Sequence, residues 1–365
     1  MTTLSKAETE QRDEFVQRLF LAAVQSVELL SVYLGDRLGL YDTLRATGAA
    51  TAGELAARAG IHERYAREWL EQQAVAGILA VDDPTAAPTA RRYRLPQAHA
   101  EVLTDRDSLN YLAPLARTLS AVGSVLPALL EAYRTGGGVP WSAYGDDMRE
   151  GQEGFNRPSF LHLLTGEWLP AIPDVHARLQ SAQGARVADI GCGAGWSSIA
   201  IARAYPAVHV DGFDVDAPSI AVARENAMTA GVADRVSFHV RDVAEGVPGG
   251  PYDLVTGFEC IHDLSRPMEV LQAMRRLAGD DGAVLVMDER VGETFTAPAD
   301  EIERLMYGVS LLVCLPTGMA EQPSAATGTV MRPSTLRRYA MAAGFRAVEV
   351  LPIEHPFFRF YRLLL

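Results

Sequence analysis

Apolar residues recur at helical spacing through the first part of the chain: Phe15, Leu19, Val24, Val27, Leu30 and Leu34 predict a helix over residues 13–46. Phe20, Leu21, Leu29, Val32 and Tyr33 put apolar residues on its other faces too. A helix apolar all round needs cover from several sides, and with little chain before it a partner subunit is the expected cover. Thr51 and Glu54 then form an S/T-x-x-E capping box that starts a second helix. Gly60 breaks it, and a third helix follows from about His62 to Ala76. ILAVD and RRYRL read as two short strands around the Pro-rich DDPTAAPTAR. Helix, turn, helix and hairpin is the winged-helix pattern. Residues 105–180 read as helical, interrupted by TGGGVPW at 135–141. From about Ala185 strands alternate with helices, the signature of a doubly wound parallel sheet.

Composition narrows the function classes. The chain has 365 residues, a formal net charge of −13 and 48% hydrophobic residues, as a globular protein does. Its acidity argues against nonspecific binding to a polyanion. The third helix, where a DNA reader would place its recognition residues, sets Arg64 and Arg67 against Glu63, Glu68 and Glu71. Arg91, Arg92 and Arg94 are the only basic cluster of the wing. Dimerisation or substrate capping is therefore expected of this domain, and no nucleic acid. Cys192, Cys260 and Cys314 are far apart without C-x-x-C spacing, which predicts neither a disulfide framework nor a cysteine zinc site. The N-terminus lacks the apolar stretch of a signal peptide. No uninterrupted run of about 18 apolar residues predicts a membrane span. A cytoplasmic protein is expected.

The chemistry gathers at the strand RVADI, which runs into GCGAG and the helix WSSIAIARAY. Strand, glycine turn and helix N-terminus make a cradle that lets a ligand approach the backbone. The dinucleotide fingerprint would need glycine at 196, where Trp196 stands. The pattern is instead D-x-G-x-G-x-G, and Asp189 suits a ligand bearing an ammonium group. Asp214, 23 residues after Gly191, ends the next strand where such folds set a carboxylate against ribose hydroxyls. Asp242 ends the third strand, within reach of an adenine amino group. Either acid could instead only cap a loop or helix. Together with the turn they describe an adenosine ligand with an amino-acid tail.

VADIGCGAG, VHVDGFDVD, VSFHVRDVAE and YDLVTGFECIHDL resemble, in order and spacing, the motifs of class I S-adenosylmethionine-dependent methyltransferases. With the winged helix, nearly the whole chain is similar to dimeric small-molecule O-methyltransferases. The resemblance implies a Rossmann-like α/β fold with a seven-stranded sheet in the order 3-2-1-4-5-7-6. It implies a winged-helix dimerisation domain at 1–105, a helical linker and cap at 106–183, and a methyltransferase domain at 184–365 with a lid insertion at 291–333. Asp189, Gly191, Gly193 and Gly195 would hold the methionine moiety of S-adenosylmethionine. Asp214 and Val215 would bind the ribose region, Asp242 and Val243 the adenine. Phe258 and Glu259 would border the sulfonium, with Phe155 and Asn156 lying over the cofactor.

An oxygen acceptor usually needs a base. The resemblance points to His262, with Asp263 orienting it and Glu259 as a competitor. His262 could instead only shape the pocket or cap a helix. In relatives two carboxylates orient the histidine; Asp288 or Glu289 supplies one here, and no acid in ATGTVMRPSTL supplies the other. No second histidine stands at ligand spacing, so no metal is expected. In the insertion, Tyr307, Met319 and Met331 face either substrate or core; Cys192 and Cys314 read as packing residues. The expected activity is methyl transfer to a small-molecule acceptor in secondary metabolism. O-methylation is favoured over N-, C- or S-methylation. A regulator that senses the cofactor and binds DNA is the alternative from another class.

Overall fold

A computed structural model describes residues 4–181, 183–247 and 249–365. The chain divides into two compact units, Met1–Ser120 and Ala121–Leu365. Most of the stretch expected as a helical linker and cap at 106–183 falls in the second of these units. Residues 160–179 pack on the sheet layer of that unit, and residues 121–148 on one another and on the insertion.

In the first unit, α1 (Lys6–Arg37) starts earlier than expected, on a second capping box between Ser5 and Glu8. It also ends earlier. Gly39, in the left-handed region at φ 63°, separates it from α2 (Leu40–Thr47), so the single helix expected over 13–46 is two. α3 (Ala52–Ala59) begins at the Thr51–Glu54 capping box and stops at left-handed Gly60. α4 (Glu63–Val75) follows, capped by His62. Strands β1 (Ala80–Val81) and β2 (Tyr93–Arg94) pair antiparallel as the wing, and α5 (Gln97–Thr104) leaves it. Gly35 is fixed by packing: a Cβ there would sit 2.5 Å from the Trp69 and Tyr41 rings. The Trp69 indole N–H donates to the Ser31 carbonyl at 3.0 Å, clamping the end of α1 to α4. Among the described residues of this unit, the first two-thirds of α1 find no such cover: Phe15, Val16, Leu19, Phe20 and Leu21 are 48–62% exposed.

α6 (Pro114–Thr135) carries the chain across the boundary. α1 and α6 are each long and apolar enough, by length and composition alone, to cross a membrane. Arg18 and Glu28 interrupt the apolar stretch of α1, so sequence inspection finds no uninterrupted run.

The second unit is built on a seven-stranded sheet. α7 (Gly145–Ser159) continues past Pro158 into π-helical turns at Phe160–Trp168, and α8 (Pro173–Leu179) precedes the sheet. Then come β3 (Arg186–Ile190), α9 (Trp196–Ala204), β4 (His209–Asp214), α10 (Ala217–Thr229), β5 (Val236–Val240), β6 (Leu254–Phe258), α11 (Pro267–Ala278) and β7 (Ala283–Glu289). The insertion carries α12 (Glu301–Val309), π-helical turns at Ser310–Cys314 and α13 (Leu315–Gly318). α14 (Pro333–Ala342), β8 (Ala347–Val350) and β9 (Phe358–Leu364) finish the unit.

The sheet order is β5-β4-β3-β6-β7-β9-β8, which is 3-2-1-4-5-7-6 when the strands of this sheet are numbered from its first. All neighbours are parallel except β9, which runs antiparallel to both β7 and β8. Alternation divides the core as period-2 strands require. Val187, Val210, Leu254 and Leu285 enter one apolar cluster, and Ala188, Ile190, Val255 and Val284 the other. With both faces covered, β7 is buried along its whole length, so the acids at its end, Asp288 and Glu289, are buried too.

Candidate active site

α7 supplies a wall of which the resemblance pointed only to Phe155 and Asn156. On α7, Arg149, Gln152, Glu153 and Asn156 follow one another at helical spacing and line a cavity of about 370 Å³. Opposite them stand Gly191, Cys192, Gly193 and Trp196, and the end of β6 contributes Phe258 and Glu259. The volume falls within the roughly 300–1,000 Å³ of ligand pockets. Hydrogen bonds tie α7 down over it. Arg149 grips Asp216 with two bonds, at 2.7 and 2.9 Å. Glu153 accepts from the Trp196 indole at 2.7 Å and the Asn226 amide at 3.1 Å.

Among the cofactor residues expected from sequence, the structure brings Gly191, Gly193, Phe258 and Asn156 to this cavity, along with Glu259. The others are elsewhere, each for a physical reason. Asp189 is 1% exposed, and its carboxylate accepts from Ser197, Ser198 and Thr256 at 2.5–2.8 Å. It is a brace between β3 and α9, and burial pushes its pKa up. Gly195 faces Phe238, where a Cβ would lie 2.4 Å from the ring, so its glycine serves packing and a left-handed turn at φ 81°. Asp214 stands behind the turn: its oxygens accept the Gly193 and Asp216 N–H groups, both at 2.9 Å. Burial raises the Asp214 pKa. Val215 is exposed and Val243 is buried in the core. Asp242 accepts the Ala244 N–H at 2.8 Å and pairs with Arg266 at 2.5 Å, the capping role that sequence left open. Phe155 packs edge-on against Phe357, outside the cavity.

The acid–base groups form one buried cluster beside the cavity. His262, 3% exposed, directs Nδ1 to Asp288 Oδ1 at 2.9 Å and stands 3.0 Å from Glu289 Oε2. Both carboxylates that hold the histidine thus come from β7, where one was expected from there and none from the stretch before α14. Three groups able to ligate a metal lie within 4.8 Å; Nδ1 hydrogen-bonds Asp288, while Glu289 Oε2 meets it as an ion pair and is buried without a hydrogen bond. Burial pulls the His262 pKa down, but Glu289 and Asp288 push it further the other way, so it stands well above the ordinary value. Glu259 is pushed up by burial and by Glu289. Burial pushes Asp263 up to about 6. Glu259 meets the cavity, with Asn156 donating to its Oε2 and Gln152 donating at 3.3 Å. His262 and Asp263 are not among its lining residues.

In the insertion, Met331 is buried in the core and the Tyr307 hydroxyl accepts from the Arg332 guanidinium at 3.2 Å. Arg332 pairs with Glu303 at 3.0 Å and clasps both ends of the insertion. Cys192 lines the cavity while Cys314 abuts His262; burial raises both thiols, which keeps them protonated. In the first unit all three wing arginines are paired: Arg91 with Glu71, Arg92 with Glu54 and Arg94 with Asp82.

Residues 181–325 match the methyltransferase domain family, and residues 26–105 the Rv2258c-like winged HTH domain. The chain thus contains a methyltransferase domain. This methyltransferase is 29% identical over 174 residues to a ubiquinone biosynthesis O-methyltransferase of Aromatoleum aromaticum, covering 47% of the chain and 68% of that protein. Its fold is that of the mitomycin 7-O-methyltransferase MmcR (TM-score 0.68, 22% identity, 99% of each chain covered). It is also that of NcsB1, an O-methyltransferase from neocarzinostatin biosynthesis solved with S-adenosylmethionine and 2-hydroxy-5-methyl naphthoic acid (TM-score 0.60, 19% identity, 92% of this chain and 95% of that one).

The cavity fits the cofactor on three observations. Four acids (Asp146, Glu150, Glu153 and Glu259) face one arginine, an excess that suits a ligand with an ammonium and a sulfonium. Asn156 Oδ1 is buried without a donor. A Cβ on Gly193 would meet nothing within 4 Å, so the turn is open where a ligand would approach.

Proposed function

We propose that the protein is a cytoplasmic homodimeric enzyme that transfers the methyl group of S-adenosylmethionine to an oxygen of a small, fairly apolar acceptor in secondary metabolism. The position of the cavity carries this reading: it lies between the glycine turn after β3 and the end of β6, beside a buried imidazole–carboxylate cluster. Bound cofactor supplies an electrophilic methyl group on sulfur. The chain aligns and dries the site. Gly191, Gly193 and Asn156 seat the amino-acid end, and Asp214 supports the ribose side through the turn. Phe258, stacked on Phe160 with centroids 6.0 Å apart, excludes water. Orientation of this kind contributes roughly 7–11 kcal/mol to such displacements. The cluster of His262, Asp263 and Glu259 takes the acceptor proton on a carboxylate, with the protonated His262 balancing the charge, and the 291–333 insertion serves as its lid. O-methylation accords with the names of the relatives.

Calorimetric titration tests this reading. S-adenosylmethionine is expected to bind with a dissociation constant on the order of micromolar, about −8 kcal/mol, and NAD not at all. Binding of NAD alone would overturn the reading.

The exposed apolar stretch of α1 supports the homodimer, since a contiguous patch of this kind marks an interaction surface. A Leu19→Asp/Phe20→Asp variant is expected to elute as a monomer in size-exclusion chromatography with light scattering, where the parent elutes as a dimer. An unchanged mass for the variant would remove α1 from the interface.

A further inference from the structure

Glu259 combines three features that cofactor seating alone does not require. Its backbone is left-handed, at φ 52°, rare for a residue with a side chain. The Glu259 N–H is held by the Met287 carbonyl at 2.8 Å, so β7 keeps it in that conformation. Its carboxyl then lies between the cavity and the buried cluster. Strained conformations that the surrounding structure holds in place concentrate at functional sites.

Charge balance says what the arrangement does. From β7, Glu289 and Asp288 face Glu259 with like charge, and His262 faces it with opposite charge. From α7 come the neutral amides of Asn156 and Gln152; farther around the cavity stand Asp146, Glu150, Glu153 and Arg149, the last held by Asp216. Cys314 abuts His262. Four carboxyls, Asp263 being the fourth, thus share one imidazolium in a buried site, and uncompensated buried charge is costly. One proton therefore stays with the carboxyls until another cation arrives.

We propose that Glu259 reads the charge of the cofactor: its carboxyl ionises when a sulfonium occupies the cavity, so the enzyme takes up S-adenosylmethionine with release of a proton and holds the neutral thioether product less tightly. This rests on the methyltransferase reading above. It assigns Glu259 a cofactor-discriminating role, apart from any part in accepting a proton from the substrate. The raised pKa of Glu259 agrees with it.

The test is calorimetric titration of the full chain with S-adenosylmethionine and with S-adenosylhomocysteine, in paired buffers of different ionisation enthalpy. S-adenosylmethionine is expected to release close to one proton per site at neutral pH, and its affinity to rise with pH, up to about tenfold per pH unit. S-adenosylhomocysteine should release none and bind about tenfold or more weakly, as loss of a charge-assisted contact implies. Glu259→Gln should still bind both ligands, without proton release and without preference. Glu289→Gln removes the like charge behind Glu259, so the pH midpoint of release should move down. Equal proton release with both ligands, or release that persists in Glu259→Gln, would overturn the proposal. Should Glu259→Gln fail to fold, the two-ligand comparison on the parent and Glu289→Gln decides alone. If neither ligand binds the parent, the cofactor reading fails and this one with it.

Discussion

A His262→Ala variant is expected to unfold on the order of 10 °C below the parent protein and to turn over roughly 100-fold more slowly. The first effect follows from burial. His262 is the cation between Asp288 and Glu289, both buried. Removing one member of a buried ion pair leaves an uncompensated charge, at about 3–5 kcal/mol. For a unit of this size each kcal/mol moves the thermal midpoint by about 2–4 °C. The pH dependence has a definite sign. The folded-state pKa of His262 is raised, so its stabilisation is complete below the unfolded value of about 6.5 and fades as pH climbs through the raised one. The gap between parent and variant should therefore narrow on the alkaline side. Adding Glu289→Gln to His262→Ala should recover part of the lost stability, because it removes one stranded carboxylate. Thermal melts across pH read the first effect, and turnover measured well below both melting points reads the second. Normal turnover with lowered stability would make His262 a counter-ion only and leave proton removal to Glu259.

The strands and turns that place this site are legible in the chain, and the side-chain directions are not. Local signals carry the first part. The Thr51–Glu54 box starts α3, Gly60 ends it, and RVADI followed by GCGAG gives strand, turn and helix. The order of the sheet follows from motifs that resemble a known family, since no local pattern says which strands are neighbours. Asp189 shows why residue roles are harder. Its position in the motif suits a ligand, yet in β3 it is the alternating partner of buried residues, and three hydroxyls of α9 and β6 turn its carboxylate inward. Gly195 likewise belongs to the motif but is demanded by Phe238. The wall made by α7 was available as a pattern: Arg149, Gln152, Glu153 and Asn156 lie on one helical face, four to eleven residues before the motif EGFNRPSF ends. It passes unnoticed because polar residues on one face ordinarily mean solvent. The two carboxylates around His262 come from adjacent positions of one strand, and only the buried end of β7 lets both approach one nitrogen. Two neighbours on a regular strand would point to opposite faces.

Asp214→Ala is expected to weaken S-adenosylmethionine binding by one to two orders of magnitude, with a mechanism that differs from simple loss of a ribose contact. In the structure the Asp214 carboxylate is engaged with the protein on both oxygens, Gly193 N–H on one and Asp216 N–H on the other. It therefore ties the end of β4 to the glycine turn and to the residue that starts α10. Asp216 in turn holds Arg149 of α7. One carboxylate thus links the turn under the cavity to the helix over it. A hydrogen bond to a charged group contributes about 1.5–3 kcal/mol, which is about ten- to a hundredfold in affinity, and the loss here is shared between ligand and turn. Asp214→Asn separates the two. Its amide oxygen can still accept the Gly193 N–H, so the turn survives while the negative charge does not. If Asp214 acts through the turn, Asn should recover most of the affinity that Ala loses. If it acts on ribose hydroxyls through its charge, Asn should be nearly as weak as Ala. Titrations of the two variants with S-adenosylmethionine distinguish these outcomes, and unchanged affinity in Asp214→Ala would remove the residue from cofactor binding altogether.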